Sequence, residues 1–268
     1  MMWHFIHYAT QGRSHIKNNI PCQDKTYALH KHNVSVIALS DGAGSARLSH
    51  FGAEESVYFI SNHFAKYFDE YVDRSRAKEQ LLTQIQKALA LKAMRHNCSV
   101  SDLACTLLCV AIKGNKFILF HIGDGVIGCI RGNVLEVLSA PDNGEFANTT
   151  NFVTSKNALE YIRYSIGNVD RISGFVLMSD GTQASLYNKK YGTLAPVIRD
   201  IIQSDFGVKK LQIGLQNSFE NTIKNATSDD CSIAFAIKRK SRGYDASLIV
   251  RCFSTINHTK LFKKIIQV

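Results

Sequence analysis

Apolar residues along the chain fall into three kinds of run, and each predicts a different element. HFIHYAT (4–10) and DKTYALH (24–30) alternate, or nearly so, and read as strands on either side of a polar loop, residues 11–23. VSVIALSD (34–41) is continuously apolar, the pattern of a strand covered on both faces. LSHFGAEESVYFISNHFAKYFDEY (48–71) repeats apolar residues at three-to-four spacing through Val57, Ile60, Phe64 and Phe68, which predicts a long helix. SRAKEQLLTQIQKALALKAMRHN (75–97) predicts a second, with Leu81, Leu82, Ile85, Leu89 and Met94 along one side. Closely spaced strand patterns follow: LACTLLCVAI, KFILFHI, GVIGCIR and NVLEVLS, joined by KGN, GDG and GN, all of hairpin length. After a polar stretch (141–170) come a buried strand, ISGFVLMSD, helical segments around 194–204 and 208–224, and a last strand, CSIAFAIK. Strands, a helix pair, strands, helices and a strand predict an α+β fold in which antiparallel sheets are sandwiched between helices, rather than a regularly alternating doubly wound sheet.

Composition changes little in this picture. The 268 residues are 45% hydrophobic and 20% charged, ordinary values for one large globular domain with a proper core. Three prolines argue against long linkers, and no apolar run approaches the roughly 20 residues of a membrane span. The start, MMWHFIHYATQGR, has no basic segment, sustained apolar stretch or cleavage pattern of a signal peptide. Seven cysteines without a C-x-x-C pair read as reduced thiols, so a cytoplasmic location is expected.

The net charge of +10 points to nucleic acid until it is located. Residues 238–268 hold eight Lys and Arg against Asp245 alone, which is +7 of the total. The rest of the chain is only weakly basic, so nucleic acid is not an expected partner. The expected organisation is a catalytic domain over 1–238 and a basic extension over 239–268. In the extension, SLIVRCF reads as a strand and HTKLFKKIIQV as a short amphipathic helix.

Candidate chemistry lies where buried strands end in acids. VIALSDGAGSA delivers Asp41 at a strand tip, GFVLMSDGT delivers Asp180, and FILFHIGDGV delivers Asp124. TSDDCSIAF places Asp229 and Asp230 at the head of the last strand, and Asp24 stands where a loop enters a strand. A single Asp-Gly is an ordinary turn dipeptide. Several such acids on one rim would repel and raise each other's pKa unless cations neutralised them, and an all-oxygen set favours Mg2+ or Mn2+ over zinc. No dinucleotide loop, Walker A pattern, G-x-S-x-G elbow, zinc-finger spacing or calcium loop is present.

The order CQD, SDGAGS, IGDG, MSDG, DDCS resembles the metal-dependent type 2C serine/threonine protein phosphatases over roughly residues 4–238. It is most similar to their bacterial phosphatase-C-like branch, where GRSHIKNNIPCQD, DLACTLL and NGEFANTTNFVTS also have counterparts. The resemblance implies an α-β-β-α sandwich and hydrolysis of phosphoserine and phosphothreonine by water activated between two divalent cations, Mn2+ or Mg2+. It implies that Asp41 bridges the ions, that the Gly42 carbonyl binds one, and that Asp180 and Asp229 complete the other. Asp24 would act largely through metal-bound water, and Asp124 would hold a third, weaker ion. The implied partners are a phosphorylated protein substrate and a cognate serine/threonine kinase. Two departures stand out. Ala43 occupies the place where many relatives carry a histidine after the bridging Asp-Gly, and the loop before Asp24 offers Arg13 or His15 where many carry a phosphate-gripping arginine. Asp230 matches a family asparagine, so Asp230→Asn is expected to be milder than Asp180→Asn or Asp229→Asn. The rival readings are a phosphatase-like module that binds phosphorylated partners without turnover, and a nucleic-acid-binding protein driven by the basic tail.

Overall fold

The computed structural model describes residues 2–141 and 150–239. The strand and helix expected beyond 239 lie outside the described residues, as does most of NGEFANTT. The first strands are β1 (Met2–Thr10), β2 (Lys25–Lys31) and β3 (Val34–Ser40), with a one-and-a-half-turn helix α1 (Arg13–Lys17) inside the polar loop between β1 and β2. The helix pair is α2 (Ser49–Val72) and α3 (Ala77–Arg95). Then come β4 (Leu107–Lys113), β5 (Lys116–Ile122), β6 (Val126–Arg131), β7 (Val134–Ser139), α4 (Ala158–Tyr161), β8 (Arg163–Asn168) and β9 (Ile172–Met178). The chain continues through α5 (Asp180–Leu186), the short pair β10 (Tyr187–Asn188) and β11 (Thr193–Leu194), α6 (Val197–Gln203), α7 (Val208–Ser218), α8 (Lys224–Ala226) and β12 (Cys231–Arg239).

Two five-stranded antiparallel sheets result, in the orders β1-β12-β9-β6-β7 and β2-β3-β4-β5-β8. Three apolar clusters define four layers. One lies between the β3-centred sheet and α2 and α3, built on Val36, Ala38, Ile60, Phe64, Leu81 and Ile85. A second fills the space between the sheets with Ile37, Leu39, Leu108, Val110, Phe175 and Leu177. The third joins the β12-centred sheet to α6 and α7 through Ile198, Ile202, Leu211, Leu215 and Phe235. Strand β3 shows why its run carries no polar alternation: Val36 and Ala38 face the helices while Ile37 and Leu39 face the other sheet.

Three expectations are corrected. GDG is no hairpin: β5 pairs with β4 and β8, and β6 pairs with β7 and β9, so residues 123–125 carry the chain from one sheet to the other. Loop length alone does not distinguish a turn within a sheet from a crossing between two sheets. Met94 is 73% exposed, and Ala93 takes the inward position at the end of α3. The drift of a 3.6-residue helix past a fixed stripe explains that slip. The polar stretch before 170 also hides β8, an edge strand whose exposed positions mask its pattern.

Candidate metal centre

Register alone carries the acids to one end of the molecule. Lys25 pairs with Ser40, Leu39 with Leu108, and Leu107 with Ile122, so Asp24, Asp41 and the 123–125 crossing share one end of the β3-centred sheet. Met178 pairs with Val126 and with Ile233, which puts Asp180 and Asp229 at the matching end of the other sheet. The crossing at Asp124 joins those two ends. Acids from five separate segments therefore meet on one rim.

Local packing fixes each position. The Asp41 amide donates to Thr106 Oγ1 at 2.9 Å, and its carbonyl accepts from the Thr106 amide at 2.8 Å. Gly42 is required by close approach: a Cβ there would lie 2.8 Å from Ser49 Oγ, at the start of α2. Asp124 is anchored from two directions. Its carbonyl accepts from Gln183 Nε2 at 3.0 Å, and its Oδ2 accepts from Thr150 Oγ1 at 2.6 Å. Asp180 opens α5, with its own carboxylate accepting from the Gly181 amide at 2.5 Å.

The charges on this rim are poorly offset. Asp24 is 1% exposed, and burial pushes its carboxyl up to about 7, helped by the charges of Asp230 and Asp180. The hydroxyls of Ser232 and Ser179 ease that charge from nearby, yet neither oxygen of Asp24 has an aligned hydrogen-bond partner. Burial also lifts Asp41 well above the usual carboxylate range, with Asp24, Asp180 and Asp124 adding to it. Asp180 is raised by burial and then by Asp124. The nearness of Asp180 adds to the rise at Asp41, while Asp41 eases the rise at Asp180.

This oxygen-only, net-negative cluster with orphaned buried atoms fits divalent cations in chemistry. As the side chains stand, no three His, Cys, Asp or Glu residues among those described are gathered into a ready-made ligand set.

Asp229 and Asp230 differ sharply. Asp229 is exposed and lies near enough to raise Asp180. Asp230 is 2% exposed and turned away, accepting from the amides of Gly12 at 2.6 Å and Gln23 at 2.5 Å. Of the two phosphate candidates, Arg13 is exposed with its Nε on the Thr227 carbonyl at 3.1 Å. His15 is half-buried, with its Nδ1 2.9 Å from Asp230 Oδ1, a close approach rather than an aligned hydrogen bond. Sequence reasoning missed Gln183, buried at 1%, and Thr106; both are ordinary polar residues whose place appears only when strands from distant segments meet.

Comparison with known proteins agrees with this geometry. A profile of the Protein phosphatase 2C family matches residues 11–225. Serine/threonine-protein phosphatase 3 of Escherichia coli (strain K12) is 28% identical over 202 residues, covering 70% of this chain and 77% of that protein. Among solved structures, the S. agalactiae serine/threonine phosphatase superposes with a TM-score of 0.64 at 16% identity, over 89% of this chain and all of the other. The catalytic domain of serine/threonine protein phosphatase PstP, solved in complex with 2 manganese ions, gives a TM-score of 0.60 at 16% identity over 88% of this chain and 97% of its own. A sandwich of two antiparallel sheets between helices, an acidic rim at one end and a profile match over most of the length lead to one conclusion: the chain belongs to the protein phosphatase 2C family.

Proposed function

We propose that the protein hydrolyses phosphoserine and phosphothreonine in phosphorylated proteins, with two divalent cations held by Asp41, the Gly42 carbonyl, Asp180 and Asp229. Asp24 supports them from behind, and Asp124 offers a place for a third, weaker ion. The single observation that carries the reading is the convergence of buried and half-buried, mutually repelling carboxylates on one rim, inside a chain of this family. Divalent cations bound there supply Lewis acidity, easing deprotonation of water near neutral pH and offsetting charge on the phosphoryl oxygens.

The chain's own residues do the rest. Thr106 holds the Asp41 backbone from both sides, and Gln183 holds the Asp124 backbone, so the acids stand on strand ends rather than on a free loop. His15, at 12% side-chain exposure beside Asp230, is our candidate to contact the substrate phosphoryl group; Arg13, held through its Nε on the Thr227 carbonyl, is the alternative. Ala43 offers no proton to the leaving serine or threonine alkoxide. A kinase that places the phosphate is the implied counterpart. The catalytic domain is assigned to 1–238, with a basic extension beyond it. Six free thiols among the described residues support a reducing, cytoplasmic setting, and no described helix is long and apolar enough to cross a membrane.

Hydrolysis of para-nitrophenyl phosphate by the full chain, with Mn2+ and after chelation, tests the reading. Turnover that requires the ion is expected. Mn2+ binding without turnover would favour a phosphate-recognising module instead.

A further inference from the structure

The loop from Gln11 to Asp24 connects β1 of one sheet to β2 of the other and carries both Arg13 and His15. Its two ends meet on one side chain. Asp230 Oδ1 accepts from the Gly12 amide at 2.6 Å, and Oδ2 accepts from the Gln23 amide at 2.5 Å. Between those ends, His15 Nδ1 stands 2.9 Å from Oδ1. The loop also lies directly on the backbone that precedes β12. The Ser14 amide donates to the Ser228 carbonyl at 2.9 Å, and a Cβ on Gly12 would fall 2.3 Å from the Asp229 carbonyl carbon. Gln23 immediately precedes Asp24, so the carboxylate that closes the loop also sets where that acid enters the rim.

We propose that Asp230 is a positioning residue: its carboxylate closes the 11–24 loop upon itself and thereby holds His15 and Asp24 in place for the substrate phosphate. The effect on turnover rests on the phosphatase reading above; the clamp itself does not. Both oxygens face amide donors, so the residue must be an acceptor twice over. A carboxamide would turn its NH2 toward one of two N–H groups at hydrogen-bond distance, leaving one of them buried beside another donor. Asn is therefore no neutral replacement here, even if it is milder than the same change at Asp180 or Asp229. Glu would carry the carboxylate one methylene further out, away from the position where both amides reach it.

The test uses the full chain with Mn2+, para-nitrophenyl phosphate as substrate and inorganic phosphate as inhibitor. Asp230→Asn is expected to weaken phosphate inhibition and lower kcat/KM by roughly 10- to 100-fold, the cost of one lost charge-assisted hydrogen bond. His15→Ala should weaken phosphate inhibition in the same direction. The double variant should inhibit no more weakly than Asp230→Asn alone, because both changes act through the placement of His15. A merely structural role would shrink the active fraction and leave KM and phosphate inhibition unchanged. That outcome, or fully additive effects, would overturn the proposal. A second measurement does not depend on turnover or on a folded variant. In the wild-type chain, the Gly12 and Gln23 amides should be protected from hydrogen exchange and shifted downfield, as donors in short bonds to a carboxylate. Rapid exchange at both would overturn the clamp. If that protection is found and the wild-type chain fails to hydrolyse phosphate esters, the phosphatase reading falls and the clamp stands.

Discussion

Asp24 and Asp230 stand close together at one end of the sandwich, are 1% and 2% exposed, and lead opposite lives. Asp230 has each oxygen on a backbone amide and a histidine beside it. Asp24 has no aligned partner for either oxygen and is pushed up to about 7. A buried carboxylate that is satisfied is part of the framework, and one that is not satisfied costs stability that only a missing partner can return. The contrast separates a carboxylate that shapes the loop from one whose burial is not offset.

The largest effect is expected at the proposed cation site. Asp41→Asn keeps shape but removes charge from the centre of the cluster, and kcat/KM for an aryl phosphate should fall about a thousandfold or more. Far-ultraviolet circular dichroism of the variant should match wild type.

Next in size is the pH dependence of the cation-free protein. With its folded pKa raised to about 7 from 3.8, Asp24 keeps its proton in the native state where the unfolded chain has released it. The unfolded state then binds fewer protons, so stability falls as pH rises from about 4 to about 7 and levels off above. The burden is on the order of a few kcal/mol for Asp24 alone. Chemical denaturation of chelated protein at pH 5 and at pH 7.5 should show the acidic sample to be the more stable. Saturating Mn2+ should remove or reverse the difference. A cation-free protein more stable at the higher pH would break the comparison.

The two acids should also part under substitution. In the absence of cations, Asp24→Asn relieves an unsatisfied charge and should raise the melting temperature by about 2–4 °C. Asp230→Asn should lower stability by about 1–3 kcal/mol, since it leaves a buried amide unpaired. Thermal scans of both variants without metal would check the pair, and equal shifts in the same direction would erase the distinction.

How far these features could be read from sequence follows from the same physics. Strand and helix periods are local, so β3, α2, α3, β9 and β12 were legible from apolar spacing. The acids were legible as residues at strand tips, because a carboxylate ending a dry run is conspicuous in one dimension. Their convergence needed the family resemblance, since register between distant strands is not written in any one segment. What stayed hidden was relational. GDG has hairpin length and joins two sheets, and Asp230 resembles a spare acid beside Asp229 until Gly12 and Gln23 arrive from over 200 residues away. Met94 was misplaced because a stripe read from Leu81 over about four turns drifts off its face.

That last point supplies the smallest effect. Met94→Ala, at a side chain 73% exposed, should change stability by no more than about 0.5 kcal/mol. Leu89→Ala, fully buried one turn earlier, should cost about 2–5 kcal/mol. Urea denaturation of the two variants separates the face that packs from the one that does not.

The claim on which all of this turns is that the acidic rim is a cation cradle centred on Asp41. Calorimetric titration of Mn2+ into the chelated wild-type chain and into Asp41→Asn tests it most directly. Wild type should take up two ions, and the variant should lose tight binding of both while remaining folded. If Asp41→Asn bound two ions with wild-type affinity, the strand-end acids would be turn residues and the cradle would not exist.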